Sequence, residues 1–430
     1  MNATAAAHRP IGRRALVCAA IALVGIAIHL LIWRFSEPTE IFSDFFKAYY
    51  PAGRAAWNDG PNPPWSLQDG AALTFINLPI LAFVFVPFGV LEREPASFAF
   101  LSLGIVVVLA TWALLTRLGR LDGRAAALLF FVFVVDGPMV NSLREGNTTH
   151  MLLLLLVVAL LLWRAGHDYA AGLVLGVCAV FKLPLLLFGL YFVLRRRWRI
   201  VAGGATMIVS VVLLSLWYFG RDINVAWYNC CVQPFVLGVI PAFNVQSIDG
   251  FLVRLVTGET LLRDWTPMPL PLAYKVIRTM LFAALYGAVL WLIRRADPQR
   301  SGEARIAGAL SARDYLEFAL VINLAVVTSP VSWTHYYLLL LLPWSLYVGG
   351  LLPLPDDAVT RTLMVSGLVL SALPVVMPDI GTGWPAAVLA RTVISLWLFG
   401  GLMMLAALLR GAWHGERAPA PLSSPAVRSP

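Results

Sequence analysis

Three ionisable side chains stand where an apolar chain accommodates them least easily. Asp44 lies among aromatics in Ile41-Phe42-Ser43-Asp44-Phe45-Phe46, and Lys182 interrupts an apolar stretch from Ala170 to Leu194. His335 follows Ser329-Pro330-Val331-Ser332-Trp333-Thr334 and opens another apolar run. A carboxylate among aromatic rings at an interface is partly desolvated, which raises its pKa toward general-base use. Ser43-Asp44 would equally cap an interfacial helix. An ammonium inside lipid costs on the order of 2.5–3.5 kcal/mol even on the lenient insertion scale, so it needs a partner, and a phosphate is a natural one. Snorkelling to the headgroups is the structural alternative, although Pro184 next door argues for a break in the helix. A histidine at the position of His335 suits a hydrogen bond to phosphate or to developing charge, or a plain interfacial cap.

Amides and a second acid accompany them. Arg144-Glu145-Gly146-Asn147-Thr148-Thr149-His150 opens a leucine-rich helix. Glu145 could partner a sugar hydroxyl, whereas Asn147 or Thr148 reads first as a helix cap. Asn244, Gln246 and Ser247 form an amide-rich turn that suits sugar hydroxyls and equally suits a plain loop. With Gly381 to Trp384 these make six polar clusters that topology assigns to one side of a membrane, where convergence implies a site.

The elements that must hold them are membrane helices. Of 430 residues 60% are hydrophobic and 13% charged, where a soluble domain is nearer a quarter charged. Long apolar stretches recur from end to end. An open sheet cannot span lipid, and barrel strands would alternate in polarity, which these segments do not. About twelve spanning helices are expected, near 13–33, 97–116, 124–140, 147–163, 169–181, 183–194, 200–220, 273–293, 314–328, 336–353, 360–378 and 387–410. The stretches 169–181 and 183–194 are short and meet at Lys182-Leu183-Pro184, as two half-length helices would. Residues 76–91, with Pro79 and Pro87, are expected to be re-entrant or to lie along the surface.

Lys and Arg crowd one set of loops, at Arg117, Arg120 and Arg124, at Arg195 to Arg199, and at Arg294 and Arg295. That bias places both termini in the cytoplasm of a plasma-membrane protein and the polar clusters outside. The net charge of +9 thus reflects lipid topology, and no nucleic-acid partner is expected. Two outer loops, 34–75 with a turn at Pro61-Asn62-Pro63-Pro64 and 221–272 with Trp227, Phe243 and Trp265, carry the aromatics of interfacial helices. Residues 1–413 read as one membrane domain and 414–430 as a disordered tail. Cys18, Cys178, Cys230 and Cys231 show no zinc or disulfide framework. With no nucleotide loop, no His-Glu-x-x-His and no carboxylate cluster, neither a cofactor nor an essential metal is expected, and any sugar donor should arrive by membrane.

Taken in order, the motifs resemble those of the family 87 glycosyltransferases. They are Ser43-Asp44-Phe45 with Tyr49-Tyr50-Pro51-Ala52-Gly53-Arg54, Glu145-Gly146-Asn147, Phe181-Lys182-Leu183-Pro184 running into Arg195-Arg196-Arg197-Trp198-Arg199, Asn244 to Gly250, and Ser329 to Tyr337. The resemblance covers about residues 10–410. It implies an all-α integral membrane fold of the GT-C type and a polyprenyl-phosphate sugar donor, often carrying mannose. The acceptor would be a lipid or a glycan. By the same resemblance Asp44 is the general base, Lys182 and His335 face the donor phosphate, and Glu145, Asn147, Asn244 and Gln246 shape the sugar and acceptor pockets. A single base implies inversion at the anomeric carbon. The competing expectation, a polyprenyl-lipid transporter or flippase, would need polar residues through the whole bilayer depth, and the inner halves of these helices read as uniformly apolar.

Overall fold

The computed structural model describes residues 11–34, 41–58, 60, 75–295, 310–376 and 381–414. Pro61 to Pro64, Trp65 and the tail beyond His414 lie outside the described residues. Among the described residues the chain is helical, with two isolated β-bridges, Val239–Met268 and Val245–Trp333.

Helix α1 (Ile11–Arg34) precedes the Asp44 segment, which winds as a π-helix over Phe45–Tyr49 and continues as α2 (Tyr50–Asn58). After a 3₁₀ turn the long α3 (Arg93–Leu118) leads to α4 (Gly123–Val135), α5 (Gly137–Arg144), α6 (Thr149–Arg164) and α7 (Asp168–Phe181). A 3₁₀ turn at Leu183–Leu186 enters α8 (Leu187–Leu194), and α9 (Trp198–Cys231) follows, kinked at Gly220. Then come α10 (Ile248–Thr257), α11 (Leu272–Arg295) and α12 (Ala312–Thr328). A 3₁₀ helix at Thr334–Leu340 runs into α13 (Leu341–Val348), and α14 (Ala358–Ser371), α15 (Trp384–Arg391) and α16 (Leu396–His414) complete the order.

The helix starts follow from side-chain chemistry. Asp122 accepts from the backbone N–H of Arg124 and Ala125, Asp136 from Met139 and Asp357 from Thr360, each satisfying donors a helix leaves open. Ser311 and Asp314 form a reciprocal capping box at α12.

By length and composition, four described stretches are long and apolar enough to cross a membrane: Arg93–Leu118, Trp198–Val236, Leu272–Arg294 and Trp384–His414. A fifth arises if α4 and α5, bent by 53° at Asp136, count as one span. Thr149–Arg164, Asp168–Phe181 and Ala358–Ser371 are apolar but short. At 1.5 Å per residue, a helix of about 15 residues falls short of a hydrocarbon core of about 30 Å. These helices, many of them exposing large apolar side chains, make this a membrane protein. The stretch 76–91 forms a 3₁₀ helix at Pro79–Phe85 and one α-turn at Val86–Gly89. Together these extend only about 20 Å, and they pack against α2 and α9.

α12 stands at the centre, with every residue from Asp314 to Thr328 buried. α7 and α9 touch backbone to backbone through glycines: a Cβ on Gly172 would lie 2.0 Å from the Ile200 carbonyl oxygen, and one on Gly203 would lie 2.1 Å from that of Tyr169. The helices whose inner halves read as uniformly apolar in the sequence carry a buried charged cluster. Glu317, wholly buried on α12, accepts from Arg195 (3.0 Å), Arg313 (2.8 Å) and Tyr191 (3.0 Å). Arg313 also donates to the carbonyls of Leu292 (2.7 Å) and Ala412 (2.8 Å). The acid thereby ties α8, α11, α12 and α16 together at the end opposite Asp44. A vicinal disulfide joins Cys230 and Cys231, a bond the spacing did not announce.

Breaking a buried ion pair from one side leaves uncompensated charge and costs about 3–5 kcal/mol. Glu317→Ala should therefore lower the unfolding midpoint in detergent micelles markedly. An unchanged midpoint would show that the cluster does not hold the bundle.

Candidate active site

The Asp44 segment is held by backbone and by rings. Phe42 N–H donates to the carbonyl of Arg144 (2.7 Å), and Phe45 N–H to that of Glu145 (3.1 Å). Gly146 lets the two chains meet: its φ is +67°, and a Cβ there would sit 2.6 Å from the Cβ of Phe45. Phe45 is fully buried, with its ring 4.7 Å from Phe100 and 5.5 Å from Phe46. Tyr49 stacks on Phe85 at 4.6 Å, so the 76–91 element serves as a wall behind the segment. Between these anchors Asp44 Oδ2 accepts from Asn147 Nδ2 at 2.7 Å. Asn147 Oδ1 accepts from the Thr149 backbone N–H (3.0 Å) and hydroxyl (2.7 Å), which fixes the amide end that faces the acid.

Asp44 is half-buried, one edge facing a cavity of about 640 Å³. That volume is within the usual range of small-molecule sites. Lys182, Glu145, Asn147, Asn244 and His335 line the same cavity. Withdrawal from bulk water raises the Asp44 carboxyl above the ordinary carboxylate range. The Asn147 hydrogen bond opposes the rise, the Glu145 charge adds to it, and Lys182 and Lys47 oppose it.

Lys182 ends α7, and Pro184 prevents the helix from continuing. Its side chain is buried, and its Nζ lies 4.2 Å from the Tyr336 ring centroid, a cation–π contact. His335 is carried by the 3₁₀ helix Thr334–Leu340. It is buried, and its Nε2 has no hydrogen-bond partner among the described residues. A cation and an imidazole with spare capacity suit an anion better than a neutral ligand.

Asn244 lies on a strap, 242–247, that pairs with the segment preceding His335. Gln246 N–H donates to Ser332 O (2.6 Å), and Thr334 N–H donates to Asn244 O (2.8 Å). The Asn244 side chain faces the cavity and accepts from Trp265 Nε1 (2.9 Å). Gln246 does not line the cavity. Its side chain is wholly buried and donates to the carbonyls of Phe243 (2.6 Å) and Ile394 (2.5 Å). Glu145 is engaged at the rim, accepting from Ser43 Oγ and from Arg144 Nη2 (2.6 Å). His150 sits behind the cavity, buried against Ser142 (3.0 Å). Gly381 to Trp384 are exposed and are not part of the wall.

The cavity adds cations that sequence reasoning left without a role: Lys47, Arg144 and Arg263. Lys47 lies three residues after Asp44, a spacing that could have revealed it. Arg263 is a lone residue in a loop, and no local signal marks it. Among the described residues no three His, Cys, Asp or Glu side chains gather as metal ligands.

The sequence profile of glycosyltransferase family 87 matches residues 75–321, more than half of the chain. The matched stretch holds Glu145, Asn147, Lys182, Asn244 and Gln246, while Asp44 and His335 flank it. The chain is 27% identical over 381 residues to a polyprenol-phosphate-mannose-dependent α-(1-2)-phosphatidylinositol mannoside mannosyltransferase of Mycobacterium tuberculosis, covering 84% of this chain and 82% of that protein. It is 24% identical to a polyprenol-phosphate-mannose-dependent α-(1-2)-phosphatidylinositol pentamannoside mannosyltransferase of Mycolicibacterium smegmatis, over 81% of this chain and 80% of that one. An α-(1→3)-arabinofuranosyltransferase of Mycobacterium tuberculosis shares 27% identity over about half of each chain. Motif order, an acid and a cation facing one cavity, and the profile match together place this chain in glycosyltransferase family 87.

Proposed function

We propose that this glycosyltransferase moves a hexose, in the first place mannose, from a polyprenyl phosphate to a hydroxyl of a lipid or glycan acceptor. The observation that carries the reading is the placement of Asp44, held by Asn147, in one cavity with Lys182 and His335. The names of the similar mannosyltransferases support the donor. In the same reading the chain is one membrane domain, 1–413, with a tail at 414–430, and has about twelve transmembrane helices in a GT-C-type bundle. Both termini are cytoplasmic, and the cavity opens on the outer face.

Asp44 takes the proton from the acceptor hydroxyl as that oxygen bonds to the anomeric carbon. The bond from that carbon to the phosphate oxygen breaks on the opposite side, so the configuration inverts. The electron pair leaves with the polyprenyl phosphate, whose gathering negative charge is met by the ammonium of Lys182 and by His335. Glu145 and Asn244 offer acceptors and donors to sugar hydroxyls. Asn147 and Gln246 act one step back, Asn147 by orienting Asp44 and Gln246 by bracing the strap.

The test is transfer of radiolabelled mannose from polyprenyl-phosphate mannose in membranes. Removing a general base costs about 10²–10⁴-fold, so Asp44→Asn should lose that much activity while the protein stays folded. Substantial remaining transfer would overturn the role. Lys182→Met should lower kcat by about 10²–10³-fold, the scale of losing one charge-stabilising group.

The pH dependence has a defined sign. A base works only when deprotonated, so kcat/KM rises with pH through the raised pKa of Asp44. Asn147→Ala removes an interaction that favours the carboxylate and should move this acidic limb to higher pH. Glu145→Gln removes a repelling charge and should move it lower. Shifts of the same sign in both variants would show that the limb does not belong to Asp44.

A further inference from the structure

Arg254 is a fully buried arginine outside the cavity. It stands on the last turn of α10 and donates from Nη1 to the carbonyls of Ala242 (3.0 Å) and Val245 (2.8 Å), and from Nη2 to Ser395 Oγ (3.0 Å). None of these partners is an acid. A guanidinium taken out of water without a carboxylate carries a large desolvation penalty, which only its hydrogen bonds offset. A neutral side chain would fill the space more cheaply, so the bonds themselves need an explanation.

Their acceptors supply one. Ala242 and Val245 belong to the strap, and Ser395 ends the 3₁₀ turn Val393–Ser395 that leads into α16. The strap is latched on its other side by Tyr337, whose hydroxyl donates to the Gln246 carbonyl (2.6 Å), and by the two backbone bonds to Ser332 and Thr334. Gly250 of α10 permits the close fit: a Cβ there would lie 2.6 Å from the Val245 carbonyl oxygen. The cavity face of this assembly carries Phe243, Asn244, Trp333 and His335. The wall that carries Asp44 is pinned separately, to the end of α5.

We infer that Arg254 is a positioning residue: from behind the cavity it sets the strap, and through the strap it places Asn244 and His335 opposite Asp44. The inference rests on the transferase reading for its kinetic consequences, but not for its structural one.

Two measurements on the full-length protein in detergent test it. The first is hydrogen exchange on Arg254→Met and Arg254→Lys. Backbone amides in 242–247 and 332–335 should lose protection at least tenfold in the methionine variant and less in the lysine variant. Those of Phe42, Phe45 and α12 should hold. Even loss across the chain, or no loss in the strap, overturns the inference, and this readout stands whatever the enzyme transfers.

The second is a double-mutant cycle with Asn244→Ala, read as kcat/KM for polyprenyl-phosphate mannose. Arg254→Met should lower kcat/KM at least tenfold when Asn244 is present and less than threefold when it is absent, because both changes disable the same strap. The Asp44 acidic limb should stay in place. A merely structural arginine would lower kcat by the same factor in both backgrounds and leave KM unmoved, which would sink the proposal. Absence of transfer by the wild type with any polyprenyl-phosphate hexose would count against the transferase reading alone, and exchange would then decide.

Discussion

Desolvation governs this protein. In a chain this apolar, each charge that leaves water must find a partner or shift toward its neutral form. Glu317 finds three partners and becomes a fastening among four helices. Arg254 finds two carbonyls and a hydroxyl and becomes a brace. Lys182 and His335 are only partly satisfied, the first by an aromatic face and the second not at its Nε2 among the described residues. The groups that hold the bundle bond mainly within the protein, although Arg254 Nε has no partner among the described residues, while Lys182 and His335, which line the cavity, keep capacity in reserve.

The acid on the facing wall obeys the same rule with opposite sign. A carboxylate fully saturated by hydrogen bonds would be a weak base, and one with none would stay protonated. Among the described residues Asp44 has one side-chain bond, from an amide that Thr149 holds in place. One oxygen is thus committed while the burial that raises its proton affinity is kept.

Much of this was legible from residue types. Asp44, Lys182 and His335 are conspicuous because lipid makes an isolated charge or imidazole costly, and the structure brings all three to one cavity, with Glu145, Asn147 and Asn244. What was not legible depends on direction and length. Two positions beyond Asn244, Gln246 turns inward, because the strap is latched on both sides and its orientation is set by partners far along the chain. The apolar segments were visible, yet apolarity does not reveal where a helix stops. Several predicted spans fall short of the needed length by about a third, closed by caps and turns such as Asp136 and Pro184. The opposing cluster at Glu317 escaped notice because its members come from separate segments, Tyr191 and Arg195 from one and Arg313 and Glu317 from another.

The π-helical turn after Asp44 has a consequence for how this region can vary. Tyr50 N–H bonds to Phe45 O, five residues back instead of four. Such a turn holds one residue more than an α-helical turn. Removing one residue there would relax the turn to ordinary winding and leave Asp44 facing as before, because the π-helical turn sweeps one turn with one residue to spare. Adding one would have no such slack and would rotate Asp44 by about 100° relative to α2, away from the cavity. Length in this segment can therefore shrink by one residue but not grow.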